Sequence, residues 1–246
     1  MNRSKIIAGT SGKGGVGKST ICVGLGQAFS RRNKRVIMIE LDIGLRGMDI
    51  MLGVENEVVY DLGDLLNRNC DINDAIVSVE AYPGLDMIAS PSSVADLLHV
   101  NDIAVLCNGL RQYYDIILID TPAGVHLSID LIPQIADLAV VVATPDYVSV
   151  RDSNRMVSLL AERRFDRCQL VINKVNVKHR RMNMISDLDD VMDGVGIPLL
   201  GVLLEDLQIK AALNGGLSLE AGSAPQIVFD NISARIEGEY TPLYIE

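Results

Sequence analysis

Residues 12–19, Gly-Lys-Gly-Gly-Val-Gly-Lys-Ser, constrain this chain more than any other stretch. They fit the pattern G-x-x-x-x-G-K-[ST], and they follow the apolar run 6–10 and precede residues 20–32, whose apolar positions recur at helical spacing. Strand, glycine-rich turn and helix in that order begin a parallel βαβ unit. Gly12, Gly14, Gly15 and Gly17 permit backbone conformations that point several N–H groups inward, and the helix start adds the positive end of its dipole. Such a cradle takes phosphate. Lys18 is placed to reach β- and γ-phosphate oxygens, Ser19 to ligate magnesium, and the whole segment from Gly12 through Lys13, Val16 and Thr20 is expected to bind ATP. Hydrolysis of that ATP is the expected reaction.

The rest of the chain repeats the same alternation. Apolar runs recur at 35–41, 85–89, 115–119, 138–144, 169–173 and 199–204. Most are continuous rather than alternating, the mark of parallel strands covered on both faces. Helical spacing marks 95–114, through Leu97, Leu98, Ile103, Leu106 and Leu110, and again 149–163. The pattern predicts an α/β fold, a doubly wound, mostly parallel sheet with helices on both faces, binding ligands at the C-terminal strand ends. One domain spanning 1–246 is expected, with 44–83 its least regular part. With no tryptophan and 4% aromatic residues, the core must be mostly aliphatic.

The net charge of −10 opposes a nonspecific grip on nucleic acid, which needs a basic face. Two basic clusters, Arg31-Arg32 with Lys34-Arg35 and Lys178 to Arg181, are read as solvated helix ends or loops. Cys22, Cys70, Cys107 and Cys168 form no C-x-x-C pair and are read as reduced thiols. No apolar stretch approaches the roughly 20 residues that cross a bilayer, so a cytoplasmic protein is expected.

Two carboxylates close apolar strands near the phosphate loop. Asp42 follows the run 35–41 and is the candidate to orient the attacking water, on a loop given mobility by Gly44. Asp120 follows the run 115–119 and is the metal candidate with Ser19. Lys13 is a second lysine inside the loop. It gains little as a second local phosphate ligand and could instead reach phosphate on a neighbouring subunit, as an arginine finger does; the alternative is a solvent-facing lysine beside an anionic ligand.

Residues 13–19 resemble the deviant Walker A motif of the MinD/ParA ATPases, with Lys13 at the position of the family's signature lysine. Residues 42–49 and 120–124 resemble the two switch segments of the family's division-site branch, and 149–153 is similar to that branch too. The resemblance implies a P-loop ATPase that closes as an ATP-dependent homodimer, with Lys13 crossing to the partner's phosphates. It also implies slow ATP hydrolysis with Mg2+, a protein activator and a downstream effector, and a role in selecting the cell-division site. Asn173 matches a position that often contacts adenine. Glu40 stands where relatives often carry Asp, and Gly47 where they often carry Asn. The branch typically ends in a basic amphipathic helix. Residues 235–246 are acidic and carry Gly238 and Pro242, so this terminus is expected neither to form that helix nor to bind an anionic bilayer. Attachment at the inner face of the membrane would then pass through a partner or a further segment. The alternatives within the family are a DNA- or cargo-positioning ATPase, a flagellar-number regulator and an iron–sulfur carrier; the last lacks cysteines in 120–128. A scaffold that reads nucleotide state without turnover is the non-enzymatic alternative.

Overall fold

The apolar runs become strands of one sheet. In the computed structural model, which describes residues 4–43, 46–92, 98–176 and 188–244, eight strands form. They are β1 (Lys5–Thr10), β2 (Val36–Glu40), β3 (Val77–Ser78), β4 (Leu85–Ile88), β5 (Ile116–Asp120), β6 (Leu138–Ala143), β7 (Cys168–Val175) and β8 (Leu199–Leu204). The order across the sheet is β3-β4-β2-β5-β1-β6-β7-β8, and every pairing is parallel except β3 with β4.

Among the described residues ten helices connect them: α1 (Lys18–Arg31), α2 (Met48–Leu52), α3 (Leu62–Leu66), α4 (Ile72–Ala75), α5 (Val100–Leu110), α6 (His126–Ile135), α7 (Tyr147–Glu162), α8 (Leu188–Val195), α9 (Leu207–Asn214) and α10 (Ala224–Ile236). Side chains alternate across the sheet, and both faces are dry. Ile7, Met38, Leu118 and Val140 face α1 and α10, whereas Ile6, Ile37, Ile39 and Ile117 face α5 and α6. Ala139 and Val141 lie against α6 and α7, and Leu170, Ile172 and Val202 against α7 and α8. Two covered faces explain why the strands read as continuous apolar runs.

The helical pattern at 95–114 contracts to α5. Residues 93–97, which include the predicted Leu97, lie outside the described residues, as do Gly44 and the cluster Lys178 to Arg181. Strand β3 is the one strand that periodicity did not reveal. At two residues it is too short to show a period.

Helix α1 is held along its length by α10. Gly24 makes their close approach possible, since a Cβ there would lie 2.3 Å from the Phe229 ring, and Phe229 is fully buried. At the far end of α1 the first basic cluster is neutralised one residue at a time. Arg31 pairs with Asp230 at 2.8 Å, Arg32 with Glu237 at 2.9 Å and with Glu239, Lys34 with Glu237, and Arg35 with Asp115 at 2.9 Å. These charges tie α1 and β2 to their neighbours. Beyond α10, residues 239–244 carry no helix, and the Arg235 guanidinium donates to the Thr241 carbonyl at 2.9 and 3.1 Å. No described helix is long and apolar enough to cross a membrane.

Candidate functional site

Strand β1 lies between β5 and β6, so the loop leaving its C-terminal end opens into the crevice where ligands of this topology bind. Residues 11–17 form that loop. Gly15 (φ 78°) and Gly17 (φ 92°) hold left-handed backbone, and Gly17 caps α1 directly. The first turn of α1 therefore presents its free N–H groups to the concave side. Gly12 lies so close to α7 that a Cβ there would meet the Asp152 carbonyl oxygen at 2.2 Å, and the Gly14 position faces Ala123. Val16 is buried beneath the loop.

Parallel register brings the predicted acids to this point. Gly9, Glu40 and Asp120 are neighbours across β1, β5 and β2. The Lys18 ammonium pairs with Asp120 Oδ1, with Lys18 6% and Asp120 0% exposed. Ser19 Oγ donates to Asp120 Oδ2 at 2.6 Å, and the Cys22 thiol contacts Oδ1 at 3.5 Å. Burial, reinforced by Asp120, pushes the Cys22 thiol well up, so it stays protonated as a donor. The loop and the segment after β5 are stitched together by Thr121 N to Gly9 O (3.2 Å) and Gly124 N to Ser11 O (3.1 Å).

Asp42 sits one strand away, half-buried. Burial raises its carboxyl pKa, the Lys18 charge pulls it back, and Asp120 adds to the rise. Lys13 points outward with 42% of its side chain exposed, and its ammonium lies 3.4 Å from Asp146 Oδ1 of the same chain. Partial burial raises the Asp146 carboxyl, but the Thr144 hydroxyl, the Ser149 N–H and Lys13 outweigh it and hold it below the usual range. Asn173, which lies inside β7 two residues before its end rather than closing the strand, donates its amide to Val16 O at 2.8 Å. Thr20 joins Asn173 in lining a pocket beside the loop.

Motif reading missed three supports. Asp146 anchors Lys13 and caps α7. Lys174, in left-handed backbone at φ 57°, donates to Gly15 O at 2.6 Å. Glu40 is a buried strut: Oε1 accepts from Gly47 N (2.9 Å) and Met48 N (3.2 Å), and Oε2 from Ser90 N (3.4 Å). A glutamate ending an otherwise apolar strand was the available signal. Its extra methylene relative to Asp gives it the reach to the start of α2.

Burial pushes the Glu40 carboxyl up to about 7; the Gly47 and Met48 N–H groups oppose the rise and Asp120 adds to it. The unfolded chain would titrate this group near 4.3. With the folded value the higher one, its stabilising contribution is full below about pH 4.3 and is lost as pH rises toward 7. The urea midpoint is therefore expected to fall between pH 5 and pH 8, and less steeply in Glu40→Gln. Identical slopes for the two proteins would remove Glu40 as the source.

The donor set fits a magnesium nucleotide. Lys18 has three N–H donors and one ion-pair partner among the described residues, leaving donors for phosphate oxygens. Ser19 Oγ and Asp120 Oδ2 are hard oxygen atoms 2.6 Å apart beneath the loop that could hold a magnesium ion. No group of three or more His, Cys, Asp and Glu side chains able to cage a metal is assembled among the described residues.

The CobQ/CobB/MinD/ParA nucleotide-binding domain family matches residues 7–219. The septum site-determining protein MinD of Synechocystis is 35% identical over 246 residues, covering 98% of this chain and 92% of that protein. The MinC:MinD cell division protein complex of Aquifex aeolicus superposes with a TM-score of 0.88 at 27% identity, covering 98% of this chain and 99% of the other. The septum site-determining protein MinD of Pyrococcus horikoshii, complexed with Mg-ADP, has a TM-score of 0.84 over 95% of this chain and 96% of its own, and at 22% identity that likeness speaks to fold alone.

Proposed function

We propose that this chain, which belongs to the CobQ/CobB/MinD/ParA family of nucleotide-binding proteins, performs the family's ATP-driven switching through the side chains that converge on Asp120. It is a MinD-like ATPase of division-site placement, using ATP with Mg2+. The observation that carries the assignment of residues is the buried meeting of Lys18, Ser19 and Asp120 under a left-handed glycine loop.

In this reading the loop N–H groups from Gly12 to Ser19 and the α1 dipole hold the phosphates. Lys18 binds the β- and γ-oxygens, and Ser19 and Asp120 hold Mg2+. The ion, when bound, neutralises charge that builds in phosphoryl transfer. Asp42 accepts a hydrogen bond from the attacking water and fixes its line of approach. Lys13 leaves Asp146 and crosses to the phosphates of a second copy, which makes the homodimer the active unit. Asn173 contacts the base. A protein activator speeds turnover, and a downstream effector binds the dimer; the likeness to a chain solved in complex with MinC supports partner binding.

Asp42→Ala tests the water-positioning role. Turnover is expected to fall by about 10²-fold, in the range of a lost positioning or general-base group, while nucleotide binding and ATP-dependent dimerisation persist. Wild-type phosphate release by that variant would sink the assignment.

A further inference from the structure

The pocket beside the loop has a wall that belongs to α2. Thr20, Asn173, Asp206, Ile209 and Leu213 line it, and so does Met51 of α2. Its lining mixes apolar side chains such as Met51, Ile209 and Leu213 with polar ones such as Asn173 and Asp206, a combination that suits a flat heteroaromatic ring. Thr20 and Asn173 place the pocket directly against the phosphate loop.

Helix α2 is pinned at both ends. At its start, Glu40 accepts the Gly47 and Met48 N–H groups. Past its end, Gly53 (φ 72°) meets Gly216 (φ 61°) backbone to backbone, and a Cβ on Gly216 would lie 2.6 Å from Gly53 Cα and 3.0 Å from Ile50 O. Left-handed backbone and this approach both demand glycine at the two positions. The contact fixes α2 to the turn after α9, so Met51 lies beside Ile209 and Leu213.

We propose that Met51 is a positioning residue for the nucleotide base, and that the base thereby braces the segment that carries Asp42. The inference rests on the nucleotide reading above and adds to it a residue from an element outside the phosphate loop. Calorimetric titration of the full chain with ADP and with inorganic tripolyphosphate, which has no base, tests it. Met51→Ala is expected to weaken ADP about five- to tenfold, the loss of one buried apolar contact, and to leave tripolyphosphate unchanged. Met51→Leu should restore ADP affinity. Gly216→Ala, which wedges α2 away, should reproduce the Met51→Ala pattern. Unchanged ADP affinity in Met51→Ala, or an equal loss for ADP and tripolyphosphate, overturns the inference alone. A wild-type chain that binds neither ligand overturns the nucleotide reading with it.

Discussion

Lys18→Ala should remove ATP turnover, by at least about 10³-fold in kcat/KM, and should destabilise the protein as well. The first effect follows from the chemistry: a fixed cation on transferring phosphoryl oxygens supplies a large share of the electrostatic stabilisation such reactions receive, and one lost donor alone costs about 10²–10³-fold. The second follows from burial. Asp120 is wholly enclosed and Lys18 nearly so. Removing the lysine leaves a buried carboxylate with Ser19 and Cys22 as its remaining donors, a change that costs roughly 3–5 kcal/mol. A Lys18→Met, Asp120→Asn double variant separates the two effects. It should recover most of the urea midpoint and none of the phosphate release. Turnover near the wild-type level in Lys18→Ala would refute the assignment of this loop.

Lys13→Ala should act oppositely, sparing the fold and disabling the assembly. Lys13 is 42% exposed, and its 3.4 Å pair with Asp146 is open to solvent on both sides, so its loss costs under about 0.5 kcal/mol. A single chain should still bind ADP. Light scattering with a non-hydrolysable ATP analogue is expected to show a dimer for the wild type and a monomer for Lys13→Ala. Turnover should drop by about 10³-fold, the lower end of what a cation delivered in trans contributes. A variant that dimerises normally on the analogue would rule out the crossing role.

The contrast between these lysines shows what the sequence could reveal. The phosphate loop was legible because its function is local: spacing alone fixes which N–H groups turn inward and which side chain follows them. The placement of Asp42 and Asp120 near the loop was legible because each ends an apolar run, and a parallel sheet gathers such ends. Asp146, Lys174 and Glu40 were not, because their roles arise from lateral neighbours. Strand β6 lies beside β1, β7 lies beside β6, and Glu40 reaches the start of α2, seven and eight residues on in sequence. The basic cluster at Arg31 to Arg35 was placed at a helix end, but its carboxylate partners lie 80 to 207 residues away in sequence and gave no local sign. Periodicity likewise found the buried strands and missed β3, whose two residues pair antiparallel at the sheet edge.

The clamp between α1 and the residues after α10 has a practical side. Helix α1 has 14 residues and spans about 21 Å, with Gly17 at one end and Arg32, bound to Glu237 and Glu239, at the other. A label or surface tether placed at Glu239 therefore departs from the pole opposite the phosphate loop. Immobilised by that pole, the protein would keep its nucleotide crevice and the exposed Lys13 facing solution, and binding of a second copy could be followed on a sensor chip without the attachment standing in its way.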